Sequence, residues 1–334
     1  LRNTGKIIVL AFPDTYVQMS TEFICKVLPL VGLGTRDYIK AGHAALVLID
    51  NKTGNARYFD FGRYVTPQAH GRVRGENTDA ELFVPFKAQI SEENQILNLD
   101  EFLIWLDANP QKTHGSGRLL ASVCDEIDYK AALDYIIKLQ SRGSIPYGVF
   151  EKNGSNCSRF VTDTILSATD NDKIIRWLKF NKLFTPSTVG NVEKAAVGNP
   201  IFEVYNGNIK EFAGSAFKEN LTNYFDKKKA PSKKKQSNCN VSVAPSHFHK
   251  LEGTGSNAYF EIVNMSSLPR FHYRIRRYNE NLEEDFDGIY NSEIFNISEA
   301  YSFTYDSHCA FCHVEQGGSK IKLHCVDSFS NFNS

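Results

Sequence analysis

Between residues 153 and 165 the chain reads NGSNCSRFVTDTI, which places a thiol where a helix begins. Ser155 or Asn156 can cap that helix, leaving Cys157 in its first turn. Unpaired backbone amides and the positive dipole end favour thiolate over thiol there, and the cysteine's own amide can donate to a tetrahedral oxyanion. A nucleophilic thiol also needs a base. Of the nine histidines, His43 is the best placed, at the start of the apolar run GHAALVLID (42–50), where Gly42 leaves room for a close approach. The turn-like NKTGN follows, then ARYFDFGRY (56–64), so the two runs predict a hairpin. If Asp50 pairs with Arg57, then Tyr58, Asp60 and Gly62 fall near the face of His43. Asp60 is then the group that orients the imidazole and fixes its tautomer. Taken singly, each residue has a plainer reading: a structural thiol, a satisfied core histidine, a turn carboxylate.

These residues need a scaffold, and the surrounding pattern supplies one. Residues 5–12 (GKIIVLAF) read as a buried strand, and 19–33 have mixed helical periodicity broken at Pro29 and Gly32. The segment 65–82 (VTPQAHGRVRGENTDAEL) is polar and reads as a loop. Residues 126–141 form an amphipathic helix pattern, with Ala131, Leu133, Ile136, Ile137 and Leu139 near helical spacing. The stretch DKKKAPSKKKQS (226–237) carries six lysines and reads as a solvated linker. Beyond it, short aromatic and β-branched runs separated by turn residues predict an all-β second domain. The expected division is therefore 1–225, a linker at 226–237, and 238–334.

The bulk composition narrows the function classes. The 334 residues include 38 basic and 38 acidic side chains, so nothing suggests nucleic acid as the main partner. No apolar run is long enough to span a bilayer. Seven cysteines without framework spacing argue against a disulfide-stapled secreted domain, and a reducing, cytoplasmic setting is the expectation.

The motif NCSRFVTDTI resembles the Asn-Cys-x-x-Phe-Val signature of the circularly permuted, NlpC-type papain-like superfamily, which includes the lecithin:retinol acyltransferases. In that superfamily the histidine strand precedes the cysteine helix, as GHAALVLID precedes SNCSRFV here. The resemblance covers roughly residues 5–190. It implies an α+β fold with a permuted papain-like cysteine hydrolase domain, in which Cys157 packs against an antiparallel sheet carrying His43. Carried over, Cys157 is the nucleophile, His43 the base and Asp60 the polar third residue. Tyr147, ten residues before the cysteine, is either a second oxyanion donor, a pocket wall or an aromatic at a turn. The hairpin is longer than in the acyltransferases, and the residues after the lysine run have no counterpart.

The implied chemistry is acyl transfer from an amide or ester through a thioester, on a small-molecule, lipid or peptide substrate. Arg72 and Arg74 in HGRVRGEN can hold an anionic substrate group, unless they belong to a solvated loop. Other motifs are set aside. CAFCH (309–313) has the haem-attachment pattern, and Cys309, Cys312, His313 and Cys325 are conceivable zinc ligands. It reads, however, as strand, and residues three apart in a strand face opposite sides. SHFH (246–249) lacks a third ligand, NLEEDFDG (281–288) reads as a hairpin loop, and VGLG (31–34) lacks a phosphate cradle's spacing. No metal or cofactor is expected. The alternatives to an enzyme are a silent binding or scaffold protein on the same fold, or a metal-binding C-terminal β module.

Overall fold

The computed structural model describes residues 3–18, 38–148, 151, 153–182, 186–225 and 244–332. The helical pattern at 19–33, VGLG (31–34) and the lysine-rich run at 226–237 lie outside the described residues.

An eight-stranded antiparallel sheet organises the first domain. Its strands are β1 (Gly5–Phe12), β4 (His43–Asp50), β5 (Ala56–Gly62), β6 (His70–Gly75), β7 (Leu119–Ile127), β8 (Ile145–Pro146), β9 (Ile201–Tyr205) and β10 (Asn208–Glu211). The short strands β2 (Val17–Gln18) and β3 (Tyr38–Ile39) pair separately. The order across the sheet is β10-β9-β7-β1-β4-β5-β6-β8. β1 and β4 are therefore central and covered on both faces, which is why GKIIVLAF and HAALVLID are nearly continuous apolar runs. One face carries the helices Tyr129–Gln140, Cys157–Ala168 and Thr188–Ala196, packed on Ile7, Val9, Leu46, Leu48 and Phe61. The other face carries the helix Leu99–Ala108 over Ile8, Leu10, Val47 and Tyr58. Even Lys6 is fully buried in β1, where its ammonium meets Asp125 at 2.8 Å.

The hairpin register differs from the expected one by two residues: Ala45 lies opposite Asp60, and Ile49 opposite Ala56. A shift of two keeps every side chain on its predicted face and carries Asp60 closer to His43. The loop reading of 65–82 is corrected more deeply. HGRVRG is β6, with Arg72 and Arg74 on one face and Val73 in the core on the other.

The second domain is an antiparallel sheet in the order β11-β12-β13-β14-β17-β16-β15. Its strands are β11 (His249–Leu251), β12 (Ala258–Val263), β13 (His272–Tyr278), β14 (Glu284–Asn291), β15 (Ser302–His308), β16 (Phe311–Gln316) and β17 (Ser319–Ser328). The sheet nearly closes on itself. His249 of β11 stacks on Tyr301 at 5.2 Å and meets Phe303 of β15 at 5.3 Å. Two local expectations are corrected: residues 284–288 of the acidic run are strand, and a turn at 309–310 interrupts the strand read through CAFCH. The two domains touch. Val65 enters the second domain's core, its amide donates to the Ser256 carbonyl at 3.2 Å, and the Gly255 amide donates to Arg63 at 2.8 Å.

Phe160 is fully buried between the helix Cys157–Ala168 and the sheet, stacked on Phe61 at a ring separation of 6.4 Å. Phe160→Ala is expected to destabilise the protein by about 3–5 kcal/mol in urea unfolding. A loss below about 1 kcal/mol would show that this helix is not seated on the sheet as described.

Candidate active site

The cysteine helix starts as its sequence suggests. Asn156 is the N-cap, and its side-chain oxygen accepts from the Arg159 amide at 2.9 Å. Cys157 is the first helical residue, so its own amide is not used by the helix ladder. Buried Asn191 steadies this first turn. It donates to the Ser158 carbonyl at 2.8 Å and accepts from the Thr162 hydroxyl at 2.7 Å.

His43 is the first residue of β4, and its ring interacts with the Cys157 sulfur at the start of the cysteine helix. Gly42 before it has a φ of +75°, and a Cβ there would lie 2.8 Å from the Thr188 hydroxyl, so the close approach requires glycine. The imidazole stacks on Phe12 at 6.2 Å, and its Nε2 stands 3.5 Å from Asp60 Oδ2. That is ion-pair distance without hydrogen-bond alignment, since Nε2 is buried with no hydrogen-bond partner. Asp60 is fully buried and heavily supported. The Tyr58 hydroxyl donates to it at 3.1 Å, and Arg74, directly opposite on β6, donates at 3.0 and 2.6 Å to its two oxygens.

Charge compensation sets the protonation states. Burial would raise the Asp60 carboxyl, but the Arg74 guanidinium and His43 hold it well below the usual carboxylate range. Burial also disfavours the His43 imidazolium, yet Asp60 and the Cys157 sulfur outweigh it and raise His43 to about 9. Burial would likewise raise the Cys157 thiol. The His43 ring, the Ala44 amide and the Ser158 side chain reverse that and lower it. The resting arrangement these shifts favour is a thiolate–imidazolium pair.

Tyr147 is held beside the cysteine by backbone pairing on both sides: its amide donates to Ala69 at 2.8 Å, and it bridges Ser155. Its ring stacks on Phe61 at 5.9 Å, beneath the Arg63 guanidinium at 4.9 Å. A Cβ on Gly71 would come within 2.8 Å of that ring, so the bare backbone there makes its place. Burial and the neighbouring Cys157 raise the phenol far above its ordinary range, so its hydroxyl remains a donor beside the thiol and amide of Cys157.

The structure thus brings Cys157, His43, Asp60 and Tyr147 together. Arg72 and Arg74, read either as holders of a substrate anion or as part of a solvated loop, lie instead on β6. Both are buried; Arg74 is committed to Asp60, and Arg72 donates to both oxygens of Asp79 at 2.7 Å. The alternation Arg-Val-Arg was a period-two signal that the polarity of the segment concealed. Among the described residues, no three His, Cys, Asp or Glu side chains converge as a metal cage. Cys309 accepts from Arg277 at 3.3 Å, Cys312 faces the His308 carbonyl at 3.8 Å, and Cys325 lies by Asp327. His247 meets Glu261 at 3.3 Å while His249 turns to the ring of Tyr301. No helix among the described residues is long and apolar enough to cross a membrane.

Comparison with known proteins gives the following. A family model described as type VI secretion system effector TseH-like matches residues 7–174, half of this chain, and a model described as DUF6695 C-terminal domain matches residues 248–326. No curated protein matches. The crystal structure of the type VI secretion system effector TseH aligns with 63% of this chain and 98% of its own, at 20% identity and a TM-score of 0.41. With histidine strand, carboxylate strand and cysteine helix all inside the matched span, the chain belongs to the TseH-like family of type VI secretion system effectors.

Proposed function

We propose that this chain is a hydrolase-type effector that cleaves an amide or ester through a Cys157 thioester. The observation that carries the reading is the His43 imidazole set between buried, ionised Asp60 and the thiol at the helix start. In the first step the Cys157 thiolate attacks the carbonyl carbon. The Cys157 amide and the Tyr147 hydroxyl are the donors available to the oxyanion. His43 gives its proton to the departing amine or alcohol, and a thioester remains. Neutral His43 then takes a proton from water as the water attacks, and the second collapse releases the acid and restores the thiolate. Asp60 keeps the imidazole oriented and stabilises its charged form without itself taking the proton.

The substrate class is a small-molecule, lipid or peptide acyl compound, and its identity is open to direct screening. Wild type and Cys157→Ser are compared on amides and esters, including peptidoglycan fragments and N-acyl lipids, with intact-mass detection of the acyl-enzyme. Turnover with an acyl adduct on Cys157, lost in Cys157→Ser, supports the reading; turnover that survives the substitution overturns it. The pH profile follows from the shifts. The kcat/KM of the wild type rises through the lowered Cys157 titration and falls above about pH 9, where His43 loses the proton that the leaving group needs.

A substrate-free measurement checks the pair itself. Alkylation of Cys157 by iodoacetamide, followed by peptide mass spectrometry, is expected to be fast near pH 6. His43→Ala should slow it about tenfold or more, as one pH unit in the thiol titration requires. An unchanged rate would mean that His43 does not share the thiol's proton.

A further inference from the structure

The buried charges around Asp60 do not end at the first domain. Arg74 makes the fork to Asp60 and also donates to the Lys112 carbonyl at 3.0 Å. Its guanidinium lies 3.8 Å over the ring of Tyr64, and a further nitrogen stands 3.9 Å from Glu81. His114, also beside Arg74, is lowered to about 3 by burial and that guanidinium, so it brings no competing charge. Tyr58 and Tyr64 remain protonated.

Two neighbours of Arg74, Tyr64 and Glu81, are gripped by the second domain. Tyr64 pairs with Ser256, within the segment 63–65 that residues 255–256 hold by backbone bonds. Glu81 lies 3.8 Å from Arg277, a buried β13 residue that also meets Asp79 at 3.2 Å and the Thr78 carbonyl at 3.3 Å. A third contact, from Asp306 to the Ser144 amide at 2.8 Å, falls three residues before Tyr147.

We propose that Arg74 is a positioning residue, whose fork fixes Asp60 against His43, and that the second domain, through Arg277, holds the surroundings of that fork in place. The proposal rests on the reading of Cys157 and His43 as the reacting pair. A guanidinium suits the task because its two parallel N–H bonds fix a carboxylate's plane, which a single ammonium charge does not. Arg74 touches neither substrate nor thiol and acts only through Asp60.

The test is the pH profile of Cys157 alkylation by iodoacetamide in the full chain. Arg74→Met is expected to displace the profile to higher pH and lower the rate at pH 6 by about tenfold, with Arg74→Lys between it and the wild type. Asp60→Asn should do the same, and adding Arg74→Met to Asp60→Asn should change nothing further, because Arg74 has lost the group through which it works. If Arg74→Met alone fails to fold, the Asp60→Asn pair of variants, which leaves no unpaired carboxylate at this position, carries the test. Arg277→Met should move the profile the same way by about threefold. A profile unchanged by Arg74→Met, or a further shift in the double variant, overturns the role of Arg74. A wild-type profile in Arg277→Met overturns the part given to the second domain. If His43→Ala also leaves the profile unmoved, it is the reacting pair that fails.

Discussion

A carboxylate with no access to water is the constraint around which this molecule is arranged. Asp60 lies in the middle of a strand and is completely buried, and moving one such charge out of water costs several kcal/mol. The fold meets that cost from three directions: Arg74 donates from the neighbouring strand, Tyr58 donates from its own strand, and the His43 ring stands at ion-pair distance on the other side. Because the compensation is local and directional, it also fixes a geometry. A fork-bound carboxylate cannot rotate freely, so the ring that faces it has one favoured setting, and the sulfur at the helix start meets that ring. The compensation of the buried charge and the geometry of the site therefore have the same origin here.

The same logic explains the seam between the domains. Asp79 is fully enclosed as well, and Arg72 supplies two short contacts to it within the first domain. Arg277 adds a second guanidinium from the other sheet, with Asp285 at 3.4 Å to balance it. Burial raises Asp285 to about 6, with Arg277 pulling the other way, so the seam is a cluster with charge close to balance. Such a seam discriminates among docking geometries, since a small displacement would leave a buried charge without its partner. Apolar contact also contributes, with Val65 of the first domain enclosed in the second domain's core.

How much of this was legible in the sequence depended on whether a signal was local. β1 falls on the predicted residues 5–12, because a strand covered on both faces reads as a continuous apolar run. The helix at Cys157 was legible from Asn156, whose capping chemistry acts over three residues. The face shared by His43 and Asp60 survived a register error of two, because parity is preserved by an even shift. The pairing of Asp60 with Arg74 was not legible. Polar residues at 65–82 resemble a loop, and only the register of β6 against β5 reveals that Arg74 is buried opposite Asp60, while Arg72, opposite Gly62, reaches Asp79 beyond the strand. The second domain's strand content was readable from its aromatic runs, whereas Arg277 gave no sign of reaching Asp79 in the first domain.

The strand order has a consequence in time. β1, at one end of the described chain, pairs with β4 on one side and β7 on the other, and the cysteine helix follows only after β7 and a further helix. His43 and Cys157 are therefore brought together by closures over long stretches of chain, the slowest kind of contact to establish. During synthesis the histidine strand and its hairpin emerge well before the thiol exists. Until the sheet has closed around β1, Cys157 lacks the ring and the amide of Ala44 that lower its titration. An incompletely folded chain thus lacks the neighbours that lower the Cys157 titration.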